Sequence, residues 1–284
     1  MKSVLLTGAS GFVGKRFTSR NLDKHNIKSI SLQTTQVNEI DFTGIDTIVH
    51  LAGIAHRMEK TEDSLYYKVN FELTRDLANK AKENGVKHFI FMSTIKVYGD
   101  EHDMLTLETP CTPNDAYGKS KLMAEEYVES LISKDFKVSI VRPPLVYGPG
   151  VIGNMKKLID LVGKRNFLPL GNIKNKRSMV GLDNLIAFLN RIIEKEVSGI
   201  FLVQDDKPMS TSDLIRTIAK SRNPNLKLIA IPGLFQTILK KLVPEIHKRL
   251  FGSLVVDDHE SKRRIDFKSA LSFEEGIELM IKEN

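Results

Sequence analysis

The chain has 284 residues, of which 41% are hydrophobic and 27% charged, and this composition excludes disorder, collagen-like repeats and coiled coils. Its formal net charge is +7, and its single cysteine, Cys111, excludes a disulfide framework and a cysteine-cluster metal site. No apolar run approaches 18 residues and no signal peptide precedes the first strand-like segment, so we expect a cytoplasmic protein without a membrane span.

The excess positive charge is concentrated in one segment. Residues 156–195 contain nine basic and three acidic side chains, so this segment carries six of the seven net charges. Charge alone is compatible with a solvated lysine surface, a nucleic-acid patch or a site for a small phosphorylated ligand.

Short apolar runs alternate with helical patterns through the first half of the chain. The runs lie at 3–7, 29–32, 47–51, 88–92 and 138–141. They are continuous rather than alternating, which predicts strands buried on both faces of a parallel sheet. Apolar residues spaced by four predict two helices, one through Val69, Leu73, Leu77 and Ala81 and one through Met123, Tyr127 and Leu131. Together they predict an α/β fold with a doubly wound parallel sheet.

Two interruptions divide this pattern. Residues 33–46 are too few for a crossover helix and a further strand, so we expect a loop with at most a short strand near Ile40. The Pro- and Gly-rich stretch 142–150 predicts a hinge into a smaller lobe. We expect helices of that lobe near 212–219, 233–242 and 272–281; the helix near 233–242 is predicted to pack on the lobe rather than bind a membrane surface.

The first strand leads into a glycine-rich loop, Thr7-Gly8-Ala9-Ser10-Gly11-Phe12-Val13-Gly14. Glycines allow a tight turn and close backbone approach, so that a pyrophosphate can lie at the N-terminus of the next helix. A strand before the loop and a helix after it are the context that this motif requires. The loop therefore indicates dinucleotide binding rather than a chance turn.

This loop resembles the glycine-rich signature of the extended short-chain dehydrogenase/reductases, a family of nucleotide-sugar epimerases, dehydratases and reductases. Other family signatures follow in order: Asp41-Phe42, His50-Leu51-Ala52-Gly53, Val69-Asn70, 91–99, 117–121, Arg142-Pro143-Pro144, 177–180 and 271–276. The resemblance covers nearly the whole chain. It implies a Rossmann dinucleotide-binding domain over 1–145 with a return segment at 178–203, and a substrate-binding lobe formed by 146–177 and 204–284.

The resemblance also implies the residues of the site. Thr94, Tyr117 and Lys121 match the catalytic positions, with Thr94 preferred over the adjacent Ser93. Thr94, Tyr117 and Arg177 match substrate contacts, and Arg177 matches the arginine that grips the substrate diphosphate. The cofactor contacts that we infer are Gly8, Ser10, Gly11, Phe12, Val13, Gly14, Arg16, Gln33, Asp41, Phe42, Leu51, Ala52, Gly53, Asn70, Tyr117, Lys121 and Pro144.

Tyr117 and Lys121 make chemical sense without the family. They are four residues apart on a predicted helix and share a face, and none of the other five tyrosines has a lysine at this spacing. A free phenol has a pKa near ~10, and a neighbouring ammonium would lower it towards the range of a useful base. Thr94 would hydrogen-bond the same substrate oxygen. We therefore prefer catalysis to an accidental pair.

The choice between NAD and NADP depends on two positions. Gln33 stands where family members that prefer NAD usually carry an acid, and it does not repel a ribose 2′-phosphate. Arg16 could meet that phosphate, although it could equally be a surface residue at a helix start. We expect NAD or NADP, with a slight preference for NADP.

Two departures from the family pattern narrow the reaction. Family 4,6-dehydratases carry an acidic pair where this chain has Ile95 and Lys96, which disfavours dehydration. Leu145 replaces an asparagine that contacts substrate in the uridine-sugar epimerases. We favour reduction of a UDP-4-keto-6-deoxy-N-acetylhexosamine by hydride transfer at C4. The alternative is a UDP-sugar 4-epimerase acting on UDP-GlcNAc or UDP-Glc, and a remote one is a non-catalytic or RNA-binding regulator.

The remaining expectations concern partners and metals. Arg177 lies in the basic segment, which favours local attraction of a sugar nucleotide over nucleic-acid binding. The family resemblance implies a homodimer paired through the two predicted helices. His50 and His56 lack acidic or cysteine partners at ligand spacing, so we expect no metal site. Cys111 is expected in a loop near the site.

Overall fold

The computed structural model describes residues 1–54, 61–232, 237 and 240–283. Its central sheet contains six strands: β1 Lys2–Thr7, β2 His25–Ile30, β3 Thr47–His50, β4 His88–Met92, β6 Lys137–Arg142 and β10 Gly199–Leu202. They are all parallel and lie in the order β10-β6-β4-β3-β1-β2. This sheet confirms the predicted α/β fold with a doubly wound arrangement.

Helices cover both faces of the sheet. On one face Val4 and Leu6 of β1 pack with α1 (Phe12–Asn21) and α6 (Leu182–Lys195). On the other face Leu5 packs with α3 (Leu73–Glu83) and α4 (Ala116–Ser130). Successive strand residues point to opposite faces, which is why these strands read as continuous apolar runs.

The connection from β2 to β3 is short, as predicted. It contains a single 3₁₀ turn, Val37–Glu39, and no strand forms at Ile40, whose side chain is buried with Phe42 against the sheet. The predicted bounds of the second strand, 29–32, were wrong because β2 is an edge strand that pairs with β1 from His25 to Ile30. Most of its residues are partly or fully exposed, so few are apolar.

The predicted helix through Val69 is interrupted. It consists of α2 (Asp63–Tyr66), a π-helical turn at Tyr67–Glu72, and α3. The second predicted helix is α4, but its buried face differs from the predicted one. Met123 is 40% exposed, whereas Lys121, Ala124, Glu125 and Val128 are buried. Because Lys121 and Glu125 are charged, the spacing of apolar residues does not reveal this buried face.

The remaining strands and α-helices lie outside the central sheet. They are β5 Met104–Leu105, β7 Leu145–Tyr147, α5 Gly153–Lys164, β8 Phe167–Leu168, β9 Met179–Gly181, α7 Thr211–Arg222, β11 Lys227–Leu228, α8 Pro244–Phe251, β12 Val255–Val256, α9 His259–Ile265 and α10 Phe273–Lys282. Helices α7 and α10 confirm two predicted helices, while the prediction near 233–242 falls largely outside the described residues. The division into two lobes stays a prediction; β10 of the return segment pairs with β6.

The described helices include none that is both long and apolar enough to cross a membrane.

Candidate active site

The glycine-rich loop connects β1 to α1 at the carboxyl edge of the sheet. Gly8 has φ +74°, and a Cβ there would lie 2.6 Å from the Ala52 nitrogen. A Cβ on Gly14 would overlap the Gly8 carbonyl oxygen, so only glycine lets the helix start pack on the loop. Gly11 is the N-cap residue of α1 and no side chain caps it, which leaves the helix start open to a phosphate group.

These features fit a dinucleotide. NAD(P) supplies a nicotinamide ring that accepts and returns a hydride. Ser10 and Gly11 are exposed, and Phe12 and Val13 are half-buried against neighbouring core residues. The loop thus offers backbone and a small hydroxyl to solvent while its apolar side chains face inwards.

The segment after β3 lies directly beside this loop. Leu51 and Ala52 are half-buried and Gly53 is exposed. Asn70 is buried in the π-helical turn, and its side chain accepts from the Ile54 N–H at 2.8 Å and donates to the Ile54 carbonyl at 3.1 Å. The Asn70 side chain therefore fixes the backbone of the segment after β3 at Ile54. Single π-helical turns within α-helices are frequent at functional sites.

The three candidate catalytic residues meet where β4 and α4 approach each other. Thr94 follows β4 and is the N-cap of a 3₁₀ turn, where its hydroxyl accepts from the Lys96 N–H. Tyr117 lies in the first turn of α4, which is capped by the Asp115 carboxylate at 2.7 Å from the Gly118 nitrogen. The Tyr117 phenol lies close enough to Thr94 for that side chain to lower its pKa. Of the two neighbouring hydroxyls, Thr94 and not Ser93 acts on the pKa of Tyr117.

Lys121 lies one turn after Tyr117 and is 5% exposed. Its ammonium donates to the Met92 carbonyl at 2.6 Å and lies 4.0 Å from the centroid of the Phe91 ring. No carboxylate forms a salt bridge with it among the described residues. Lys121 is therefore held by a neutral oxygen and an aromatic face.

Burial dominates the proton affinities of this pair. It raises the pKa of Tyr117 to about 12, against the opposite effect of the Thr94 hydrogen bond. It lowers the pKa of Lys121 to about 7, with the Glu125 carboxylate opposing the change. The lowering expected from Lys121 together with a positive nicotinamide ring stays a prediction, and in the protein alone the pKa of Tyr117 lies above its ordinary value. The cause is desolvation of the phenol, which the sequence does not report.

A buried ion pair behind Lys121 was missed. The Arg142 guanidinium binds both oxygens of Glu125, at 3.0 and 3.1 Å from Nε, and donates to the Tyr98 hydroxyl at 2.7 Å. Glu125 is 2% and Arg142 3% exposed. The contacts join α4 to the end of β6 and to the turn after Thr94. In the sequence, the only indication that Glu125 lies beside Lys121 was their spacing of four residues.

The adenine end of the proposed cofactor site requires one correction. The Arg16 guanidinium is bound to Asp183 at 2.6 and 2.9 Å and to Glu283 at 2.8 Å. Both carboxylates neutralise it, so the structure does not support its proposed role with a 2′-phosphate. The partners are more than 160 residues away in sequence, which is why they were not foreseen.

Of the other adenine-end residues, Gln33 and Asp41 are exposed and Phe42 is not. Gln33 is exposed in the turn after β2. Asp41 is exposed, and hydrogen bonds from Thr43 and Lys28 lower its pKa to about 2, so it stays an anionic acceptor. Phe42 is buried in the core.

The proposed substrate end lies along the paired strands β7 and β9. Pro144 is buried between β6 and β7, and Leu145 is 51% exposed. Arg177 is half-buried, its backbone bonds to Met209, and its guanidinium donates to the Gly252 carbonyl at 3.3 Å. Burial lowers the pKa of Arg177.

The remaining candidates are a cysteine and two histidines. Cys111 packs near Ile95 and Tyr98, and burial raises the pKa of its thiol. His50 is buried and hydrogen-bonded to threonines, and His56 lies outside the described residues. Within the described ranges no three His, Cys, Asp or Glu side chains are grouped to hold a metal ion.

Comparison with known proteins agrees with this geometry. The model of the NAD dependent epimerase/dehydratase family matches residues 4–203. The UDP-glucose 4-epimerase of Vibrio cholerae is 33% identical, over 97% of this chain and 93% of that protein. The N-acetyl-alpha-D-glucosaminyl-diphospho-ditrans,octacis-undecaprenol 4-epimerase of Escherichia coli O157:H7 is 30% identical, over 81% of this chain and 75% of that protein.

Two solved structures share the fold. The UDP-glucuronic acid 4-epimerase of Bacillus cereus in complex with NAD superposes with a TM-score of 0.78 at 19% identity, covering 100% of this chain and 98% of that one. The dTDP-4-dehydrorhamnose reductase of Bacillus anthracis in complex with NADP gives 0.78 at 21% identity, covering 100% of both. The family resemblance seen in the sequence is confirmed: the chain belongs to the NAD dependent epimerase/dehydratase family and is an NAD(P)-dependent enzyme of the nucleotide-sugar epimerase and reductase type.

Proposed function

We propose that this enzyme interconverts the C4 epimers of a hexose or N-acetylhexosamine joined to UDP. The observation that carries the proposal is the proximity of the Thr94 and Tyr117 side chains, a pair with Lys121 one turn further along α4. This pair can exchange one proton with one carbinol oxygen, which is what hydride transfer at a single carbon requires.

The neighbouring positions support chemistry at one carbon only. Ile95 is buried, and the Lys96 ammonium is bound to Asp100 at 2.7 Å. Neither side chain can move a proton at an adjacent carbon as a carboxylic acid can. Elimination of water therefore has no acid–base pair at these positions.

In this proposal Tyr117 takes the proton of the sugar hydroxyl and later returns it. Thr94 holds the same oxygen and fixes its distance from the phenol. A phenol with a pKa of about 12 gives up its proton only beside positive charge, so the ammonium of Lys121 must be present in the active form. Arg177 is proposed to contact the substrate diphosphate, with the surplus charge of segment 156–195 attracting the anion.

The two curated relatives guide the choice between epimerisation and reduction. Both are named as 4-epimerases, and both names describe a sugar joined through a diphosphate, to uridine in one and to undecaprenol in the other. We therefore rank the 4-epimerase above the reductase that the sequence favoured. Reduction of a UDP-4-keto-6-deoxy-N-acetylhexosamine remains the second candidate, since Leu145 is exposed where uridine-sugar epimerases carry asparagine.

One experiment separates the candidates. The enzyme is incubated with NAD or NADP and UDP-GlcNAc, UDP-Glc or undecaprenyl-diphosphate-linked GlcNAc, and with NADH or NADPH and a UDP-4-keto-6-deoxy sugar. Isomer interconversion without net cofactor consumption supports the epimerase, whereas stoichiometric oxidation of reduced cofactor supports the reductase. Tyr117→Phe should reduce either activity by at least about 10²-fold. Turnover by this variant at the wild-type rate would refute the proposed chemistry.

The nicotinamide cofactor is tested by fluorescence titration with NADH and NADPH. Arg16 is bound to carboxylates, so we expect Arg16→Gln to leave the ratio of the two affinities unchanged. Gln33→Asp should weaken NADPH binding selectively, because a carboxylate repels the 2′-phosphate. Equal loss of both affinities would place Gln33 away from the ribose.

A further inference from the structure

A chain of buried hydrogen bonds links the candidate cofactor segment to the catalytic helix. At its centre is His50, the last residue of β3, which is 1% exposed and stacks on Phe91 at 5.8 Å. Its Nδ1 lies 2.7 Å from the Thr7 hydroxyl and its Nε2 lies 2.9 Å from the Thr74 hydroxyl. Neither the proposed chemistry nor the core packing alone requires these two contacts.

The protons of this chain can be assigned from the donor and acceptor inventory. The Thr74 hydroxyl lies 2.7 Å from the Asn70 carbonyl, which can only accept, so Thr74 donates its one proton there. Consequently His50 must donate to Thr74 from Nε2. A neutral imidazole then accepts at Nδ1 from the Thr7 hydroxyl, whose oxygen in turn accepts from the Ala52 N–H at 3.3 Å.

The charge state agrees with this assignment. Burial, assisted by the charge of Lys121 on α4, lowers the pKa of His50 to about 3. The imidazole is therefore neutral at every pH at which the enzyme would work. With one proton on Nε2, each hydroxyl of the chain has one acceptor and one donor.

The chain continues to the catalytic helix through Asn70. The second Asn70 amide proton points to the Ser120 hydroxyl at 3.2 Å, and Ser120 donates to the Tyr117 carbonyl at 2.9 Å. The segment 51–54 is thus fixed at Ala52 by Thr7 and at Ile54 by Asn70. Between these points, a Cβ on Gly53 would lie 3.9 Å from the Lys121 ammonium nitrogen.

We propose that His50 is a positioning residue, present as a single neutral Nε2–H tautomer, that holds the segment 51–54 at a fixed distance from Lys121 and so sets cofactor affinity. The proposal rests on the cofactor contact of this segment. It assigns His50 no contact with substrate and no proton transfer.

A second buried histidine provides the matched control. His88 begins β4, is fully buried, and bonds through Nε2 to the Ser139 hydroxyl at 2.8 Å. It lies at the amino end of its strand, at the opposite edge of the sheet from His50. Replacing either histidine by phenylalanine removes a buried imidazole and its hydrogen bonding, but only His50 bears on the segment 51–54.

The test measures NADH affinity by fluorescence titration and stability by urea unfolding for His50→Phe, His50→Gln and His88→Phe. We expect His50→Phe to weaken NADH binding about tenfold, because a lost buried hydrogen bond changes an equilibrium constant by up to about that factor. His88→Phe should lower the urea midpoint with less than a twofold change in affinity. His50→Gln, whose amide reaches the Nε2 position, should recover part of the loss.

A spectroscopic measurement is independent of cofactor and of variant folding. Nitrogen NMR of the ligand-free wild-type protein should show His50 as the Nε2–H tautomer with no titration between pH 5 and 8. An Nδ1–H tautomer, titration in this range, or wild-type NADH affinity in His50→Phe would overturn the inference. Failure of the wild-type protein to bind either cofactor would refute the proposed function instead, and the tautomer would still decide the hydrogen-bond assignment.

Discussion

The buried Glu125–Arg142 pair makes a quantitative prediction about stability. Its closest atoms, Arg142 Nη2 and Glu125 Oε2, are 2.5 Å apart, and both side chains are buried. Removing one partner from such a pair leaves a desolvated charge and costs about 3–5 kcal/mol. Glu125→Met and Arg142→Met should each lower the free energy of unfolding by this amount. That is a large fraction of the ~5–15 kcal/mol typical of a folded domain.

The double variant provides the decisive comparison. Glu125→Met/Arg142→Met removes both charges and leaves only the Tyr98 hydroxyl without its donor, a cost of about 1–3 kcal/mol. It should therefore be more stable than either single variant. For a urea dependence of about 3 kcal/mol per molar, each single variant lowers the midpoint by at least about 1 M.

Urea unfolding followed by circular dichroism measures these differences. The control is the exposed pair Lys156–Asp160 on α5, 3.8 Å apart, where Asp160→Asn should change stability by less than about 1 kcal/mol. If the losses of the two buried single variants simply add in the double variant, the two charges do not compensate each other, and the reasoning fails.

Three further predictions concern the site. Thr94→Val should lower kcat by about 10²-fold or more while Thr94→Ser retains most of it, measured in steady-state assays. Lys121→Met should stabilise the protein at pH 7 by on the order of 4 kcal/mol, because the folded-state pKa of about 7 lies below the ordinary lysine value of 10.5 and each pKa unit is worth about 1.4 kcal/mol. Between pH 7 and 10 the unfolded wild-type chain binds more protons than the folded one, so the stability advantage of Lys121→Met should shrink as the pH rises. A stability difference that does not change with pH would contradict this prediction. Gly14→Ala should abolish cofactor binding in a fluorescence titration, whereas Gly44→Ala, with no atom within 4 Å of the added Cβ but φ +70°, should cost only about 1 kcal/mol of stability and leave binding intact.

The parts of the fold that the sequence predicted well are those determined by local pattern. The strands at 3–7, 47–51, 88–92 and 138–141 are buried on both faces, so an unbroken apolar run marks them directly. The short β2–β3 connection follows from chain length alone, since 14 residues cannot hold a crossover helix and another strand. β2 was misplaced because an edge strand buries little and leaves a weak apolar signal.

The parts that it did not predict depend on contacts between distant residues. Arg16 was predicted as a phosphate ligand because the sequence around it shows no acidic partner. Its partner Asp183 is 167 positions away. The buried face of α4 was assigned to Met123 and Tyr127 because no periodicity rule expects Lys121 and Glu125 in a core. Charges are buried here only because Arg142 and the Met92 carbonyl lie opposite them, and those neighbours exist only after folding.

The surroundings of Lys121 connect stability with chemistry. Glu125, one turn further along the helix, is bound to Arg142. Among the described residues, the partners of the Lys121 ammonium are a carbonyl and an aromatic ring. A lysine in a salt bridge with a carboxylate would have a higher pKa. The carboxylate would also offset the effect of the ammonium charge on a neighbouring phenol. In this structure burial lowers the pKa of Lys121 and the Glu125 carboxylate only partly opposes the change, so the ammonium form is costly to the fold. The Arg142 guanidinium engages both Glu125 oxygens and joins α4 to β6, and Glu125 acts on Lys121 through its charge and not through a salt bridge in the described part of the chain.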